Sequence, residues 1–108
     1  AIAGGLVRSL HAPEDLLPAA RALAREFVDN AAPVSVAITR QLMWRMAGAE
    51  HPMIAHRADS RAIQARGASA DSKEGVTAFL EKRPPNFPNR VSSELPDIWA
   101  SWSAPPFA

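Results

Sequence analysis

Asp71-Ser72-Lys73-Glu74-Gly75-Val76-Thr77-Ala78-Phe79-Leu80-Glu81-Lys82-Arg83-Pro84-Pro85-Asn86-Phe87 is the stretch whose reading decides the fold. It reads as a capped helix stopped by a double proline. Asp71 is placed to cap the first turn while Glu74 reaches back, a relative of the capping box. Both acids then lie at the positive end of the helix dipole. Lys82 follows Phe79 by three positions and Arg83 by four, so the spacing predicts all three on one helical side. Pro84 biases Arg83 away from helical geometry, and Pro85 repeats the stop. Two meanings fit the pattern. A ring beside two positive charges can stack on a nucleobase and meet phosphate. Equally, Val76, Phe79 and Leu80 can form an ordinary apolar stripe, with Glu81, Lys82 and Arg83 as its solvated border.

Upstream, proline and glycine punctuate three more helices. Pro13 suits a first helical position, with Glu14 and Asp15 favourable in the first turn. Leu16, Ala20, Leu23, Phe27 and Val28 then recur at helical spacing and predict one buried face, ending near Asn30. Pro33 restarts the chain. Val34, Ile38 and Leu42 make one row, Val36, Met43 and Met46 broaden it, and Gly48 is the expected stop. A third helix is predicted from Pro52 to Arg66, with Ile54, Ala58, Ala62 and Ala65 as a thin apolar side and Gly67 as its end. Before Pro13, residues 1–11 read as a turn and linker. After Arg83 the chemistry changes, because six of the ten prolines fall between Pro84 and Pro106. No regular element can run far there, and Trp99, Trp102 and Phe107 are expected to pin this tail onto a surface. The expected organisation is therefore a linker over 1–11, a helical domain over 12–83 and a Pro-rich aromatic tail over 84–108.

With 108 residues, the chain can bury roughly two-thirds of its unfolded surface, enough for one modest core. Twelve basic against eleven acidic residues leave no field to gather nucleic acid or an anionic membrane, and the basic residues form no cluster. Neither kind of partner is expected. Cysteine is absent, which excludes disulfides and thiolate metal sites and fits a cytoplasmic protein. No apolar run approaches the roughly 20 residues needed to span a bilayer, and Ala1 to Leu10 lacks a signal-peptide layout. The start at Ala1 rather than methionine fits a fragment, a processed product or an expressed domain.

Chemistry-bearing clusters are sparse. His51 and His56 are five apart, one off the spacing that aligns two imidazoles on a helix, so no metal is assigned. His11 stands alone beside a turn. No serine lies in an elbow motif, and Glu14-Asp15 is explained by its helix start. No general base with an oxyanion hole can be assembled, so no catalytic residue is expected in these residues.

The order of segments resembles the C-terminal region of the crotonase (enoyl-CoA hydratase/isomerase) superfamily. The resemblance is carried by Gly5-Leu6-Val7, the Leu16 to Ala24 helix, the Ala32-Pro33 junction and, most specifically, the Asp71 to Phe87 run. It spans the chain from about Gly4 to Phe87. It implies an all-α fold, a small bundle of three to four helices like the family's C-terminal trimerisation domain. It further implies a parent enzyme of fatty-acid metabolism, a lyase or isomerase acting on acyl-CoA thioesters as substrate, with no resident cofactor. The positions matching Phe79 and Lys82 contact coenzyme A in the family, often in an adjacent subunit. Assembly to a trimer or hexamer follows for the parent, and to a dimer or higher for these residues alone. The family's catalytic glutamates and oxyanion hole belong to a preceding domain, so the resemblance transfers no catalytic role to Glu50, Glu74 or Glu81. One departure is Arg40, where the family often carries lysine. A helical self-association module with no ligand role is the alternative.

Overall fold

The four longer helices each begin where a proline or a small polar residue breaks the preceding chain. The computed structural model describes residues 1–99, Trp102 and Ser103. Among these the secondary structure is helical: α1 (Pro13–Asn30), α2 (Pro33–Met46), α3 (Pro52–Gly67), α4 (Ala70–Glu81) and the single turn α5 (Val91–Glu94). Pro13, Pro33 and Pro52 each open a helix, as their missing N–H and fixed φ favour. Phe107 lies outside the described residues.

The chain divides into two units, Ala1–Asn30 and Ala31–Ala108. In the first, Gly5 at φ +72 turns the chain so that its N–H meets the Ile2 carbonyl at 2.9 Å. Pro18 sits inside α1 and removes one helical donor, yet the helix continues to Asn30. The expected buried face of α1 is not buried: Leu16, Phe27 and Val28 are all exposed. A single helix has no second element in its own unit against which to bury a stripe.

In the second unit, Val34 and Ile38 of α2 pack with Ala62 of α3 and with Ile98, with Leu42 and Trp99 beside them. The alanines of α3 let the helices approach closely, and Ala58 is also buried. Met43, expected to widen the apolar row, is exposed, as is the neighbouring Trp44. Their place is taken from the proline-rich segment, where Ile98 is only 1% exposed. Arg61 donates to the Ile98 carbonyl at 3.2 Å. The Arg45 guanidinium lies 4.3 Å from the Trp99 ring centroid and 4.7 Å from that of Trp102. The two indoles meet edge to face, 6.3 Å apart.

The start of α4 corrects the expected cap. Ser69, not Asp71, is the N-cap: its hydroxyl accepts from the Ser72 N–H at 3.2 Å and donates to the Arg66 carbonyl at 2.6 Å. Asp71 lies two residues further on, inside the first turn and 2% exposed. Its carboxylate pairs with Arg66 at 2.6 Å and accepts the Asn89 N–H at 2.9 Å. Asn89 Oδ1 in turn accepts from Arg66 at 3.3 Å, and Arg66 Nε donates to Ser35 Oγ at 3.3 Å. A buried carboxylate must find a full set of donors, and a cap supplies only one or two. Removing one member of such a pair strands the other, so Asp71→Ala should lower stability by about 3 kcal/mol. A fall in the urea midpoint checks this; an unchanged midpoint would mean the node carries no stability.

Candidate functional site

After Arg83 the chain turns and runs back along α4. Glu74 accepts from the Asn86 N–H at 2.7 Å. A Cβ placed on Gly75 would lie 3.5 Å from the Phe87 ring. Asn89 closes on Asp71 at the start of the helix. Asp71, Glu74, Gly75 and Ala78 are spaced as one helical face, and this face is covered. Asp71 and Ala78 are buried, while the Glu74 side chain is 18% exposed. Val76, Phe79 and Leu80 occupy other azimuths and are 59%, 82% and 73% exposed. The inner stripe of α4 is thus polar and small, and its apolar stripe faces out.

The end of the helix also differs from the expected one. α4 stops at Glu81, before the prolines act, because Lys82 adopts the left-handed conformation with φ 54. The Lys82 N–H reaches the Phe79 carbonyl at 3.3 Å and the Arg83 N–H reaches that of Ala78 at 3.0 Å. These bonds satisfy orphan carbonyls of the last turn, the pattern that glycine usually supplies. Lys82 therefore leaves the helix instead of continuing its side, though its backbone remains tied to Phe79.

Arg83 is not a second cation beside the ring. It grips Glu74 with both terminal nitrogens, at 2.6 and 3.0 Å, and Glu81 with Nε at 2.6 Å. By contrast Lys82 is exposed and makes no ion pair among the described residues. The structure thus ties Lys82 to Phe79 through the backbone alone and commits the Arg83 side chain to Glu74 and Glu81. Arg66, Ser69 and Asn89 were not singled out by the sequence reading. Ser69, three residues before Ser72, could have been found as a cap; nothing in the spacing marks Arg66.

The histidines have separate tasks. His51 Nδ1 accepts the Met53 N–H at 3.1 Å and caps α3, while His11 meets Ser9 at 2.7 Å. No group of three or more His, Asp or Glu side chains among the described residues is arranged to hold a metal. No described helix is long and apolar enough to cross a membrane.

The hydrogen bond from Arg83 and, after it, that from the Asn86 N–H hold the Glu74 carboxyl down at about 2, against an ordinary value of 4.5. A depressed carboxyl contributes stability in full above its unfolded value and loses it as the folded group protonates. The clasp between α4 and Asn86 should therefore be intact at pH 5 and above. It should open as pH falls from about 4.5 toward 2. The Asn86 amide resonance reports this directly, and a shift completed above pH 4.5 would contradict it.

Residues 1–90 match the family model described as enoyl-CoA hydratase/isomerase. An enoyl-CoA hydratase of Alternaria alternata is 37% identical over 86 residues, covering 80% of this chain and 28% of the relative. A putative enoyl-CoA hydratase of Thermus thermophilus is also 37% identical over 86 residues, 77% of this chain and 32% of its own length. A probable enoyl-CoA hydratase of Rhodobacter capsulatus is 51% identical over 45 residues, 41% of this chain and 18% of the relative. The chain therefore spans less than a third of the length of these curated relatives. The match runs from Ala1 through the Phe87 and Asn89 contacts that fold back on α4, and this chain belongs to the enoyl-CoA hydratase/isomerase family.

Proposed function

We propose that this chain forms the coenzyme-binding edge of an enoyl-CoA hydratase/isomerase, with the ring of Phe79 against the adenine and the ammonium of Lys82 toward a phosphate. One observation supports the reading most. In the 71–87 run, Asp71, Glu74, Gly75, Ala78, Arg83 and Phe87 are all engaged in holding α4 and the returning segment together. Phe79 and Lys82 are not. A lysine in a left-handed cap costs about 1 kcal/mol relative to glycine. That cost makes sense where the ammonium itself has a use.

In the whole protein the reaction would be addition of water to an enoyl thioester, or a related step through a thioester enolate. Acyl-CoA enters as substrate, and the general bases and oxyanion donors lie outside the residues described. The second reading is self-association without a ligand. It draws on the exposed Val76, Phe79 and Leu80 of α4 and on the exposed Leu16, Phe27 and Val28 of α1, surfaces that would be covered in an oligomer. The two readings are compatible in a trimer or hexamer.

Calorimetric titration with coenzyme A separates them. Phe79→Ala should weaken binding by about fivefold or more through loss of stacking, and Lys82→Ala by about threefold. Lys82→Gly should weaken binding equally while raising stability by about 1 kcal/mol, which divides the ammonium's role from the fold's. Binding indifferent to all three variants, or absent from the wild type, would leave the self-association reading. Assayed with crotonyl-CoA, the purified 108 residues should give no hydration; measurable turnover would overturn the assignment of catalysis to other parts of the protein.

A further inference from the structure

The residue after Lys82 is more heavily anchored than its surface position requires. Its guanidinium binds Glu74 through both terminal nitrogens, Glu81 through Nε and the Pro84 carbonyl at 3.2 Å. Its backbone N–H closes the helix on Ala78 at 3.0 Å. A planar fork of this kind fixes direction as well as distance. We propose that Arg83 is a positioning residue for Lys82, one that holds its left-handed backbone and shields its ammonium from two neighbouring carboxylates without touching ligand. This rests on the reading of Lys82 as a phosphate contact.

Two physical effects support it. The first is conformational. Glu81 precedes Lys82 and Arg83 follows it, and one guanidinium side chain joins the two, 2.6 Å from Glu81. Lys82 cannot return to ordinary helical or extended geometry without pulling that fork from Glu74 or Glu81. A non-glycine residue in this region persists only where its surroundings over-determine it. The second is electrostatic. Glu81 precedes Lys82 in the chain and Glu74 is held by the residue after it, and either carboxylate, left unpaired, could draw the ammonium to itself. Pairing both with Arg83 leaves Lys82 as the cation on offer at this turn.

The test is a double-mutant cycle in the full chain, with Arg83→Ala and Arg83→Lys made alone and with Lys82→Ala. Coenzyme A titration and the Lys82 Cα and Cβ chemical shifts are the two readouts. Arg83→Ala should weaken coenzyme A binding by up to about threefold, the loss expected of Lys82→Ala itself, and move the Lys82 shifts away from left-handed values. Arg83→Lys, which keeps the charge and loses the fork, should fall between. In the Lys82→Ala background, Arg83→Ala should cause no further loss. An equal loss with and without Lys82 would make Arg83 merely structural and overturn the proposal. So would left-handed Lys82 shifts unchanged in Arg83→Ala, a readout that needs no ligand. If Lys82→Ala itself leaves binding unaltered, the coenzyme reading fails; if Lys82→Ala weakens binding while Arg83→Ala adds to it in full, only the positioning role fails.

Discussion

The pairing of Arg66 with Asp71 is the constraint on which the rest of the second unit depends. A carboxylate 2% exposed is tolerable only if its charge is matched and its lone pairs are filled. Here the match comes from α3, the further donor from Asn89, and Arg66 itself is steadied by Ser35 of α2. Three helices and the returning chain therefore meet at one ionic node. Apolar packing alone would hold α4 less specifically, since Ala78 is the buried apolar side chain it contributes. Directional hydrogen bonds fix where α4 starts and which of its faces turns inward.

From that start, the position of Phe79 and Lys82 follows by short steps. Asp71 sets the inner face, and Glu74, one turn on, draws back Asn86 and Arg83. The Phe87 ring lies over Gly75, where even an added Cβ would be at ordinary contact distance, 3.5 Å. α3 and the returning segment share the inner side, so Val76, Phe79 and Leu80 are left facing out. Exposure of Phe79 is thus imposed by the polar stripe on the opposite side. A ring presented this way stands on a rigid element anchored at both ends, which suits it for contact with a flat ligand or a neighbouring chain.

The helices themselves were legible in the sequence because local chemistry decides them. Pro13, Pro33 and Pro52 cannot lie in a helix interior without loss, and each marks a start. Gly67 marks an end. The faces were less legible. In α2 the row Val34, Ile38, Leu42 faced the core as its spacing predicts. In α4 the same rule pointed to the wrong side, because periodicity counts apolar residues and the buried stripe there is Asp71, Glu74, Gly75 and Ala78. Only paired charges make such a stripe worth burying, and Arg66 and Arg83 both stand outside α4, five residues before Asp71 and nine after Glu74, where no helical spacing marks them. Ile98 escaped for a related reason: proline flanks conceal a core residue that belongs to no helix. At the candidate site, spacing put Phe79, Lys82 and Arg83 on one helical side, but the left-handed turn takes Lys82 out of the helix, and the commitment of Arg83 to Glu74 depends on a reversal of the chain that spacing does not encode.

The division of α4 into an inner polar face and an outer apolar one also separates stability from recognition. Changes at Asp71 or Arg66 act on a buried charge and must disturb the fold before they disturb anything else. Phe79, at 82% exposure, gives up little packing within this chain when truncated, so its ring is open to contact from outside. Lys82 goes further, since its backbone geometry would be relieved by glycine. Residues whose removal costs the chain little, or even stabilises it, are the ones for which an external partner is the more economical explanation. Their neighbour Arg83 joins the two classes: it clamps the returning segment and, through the same bonds, sets the direction in which the free cation points.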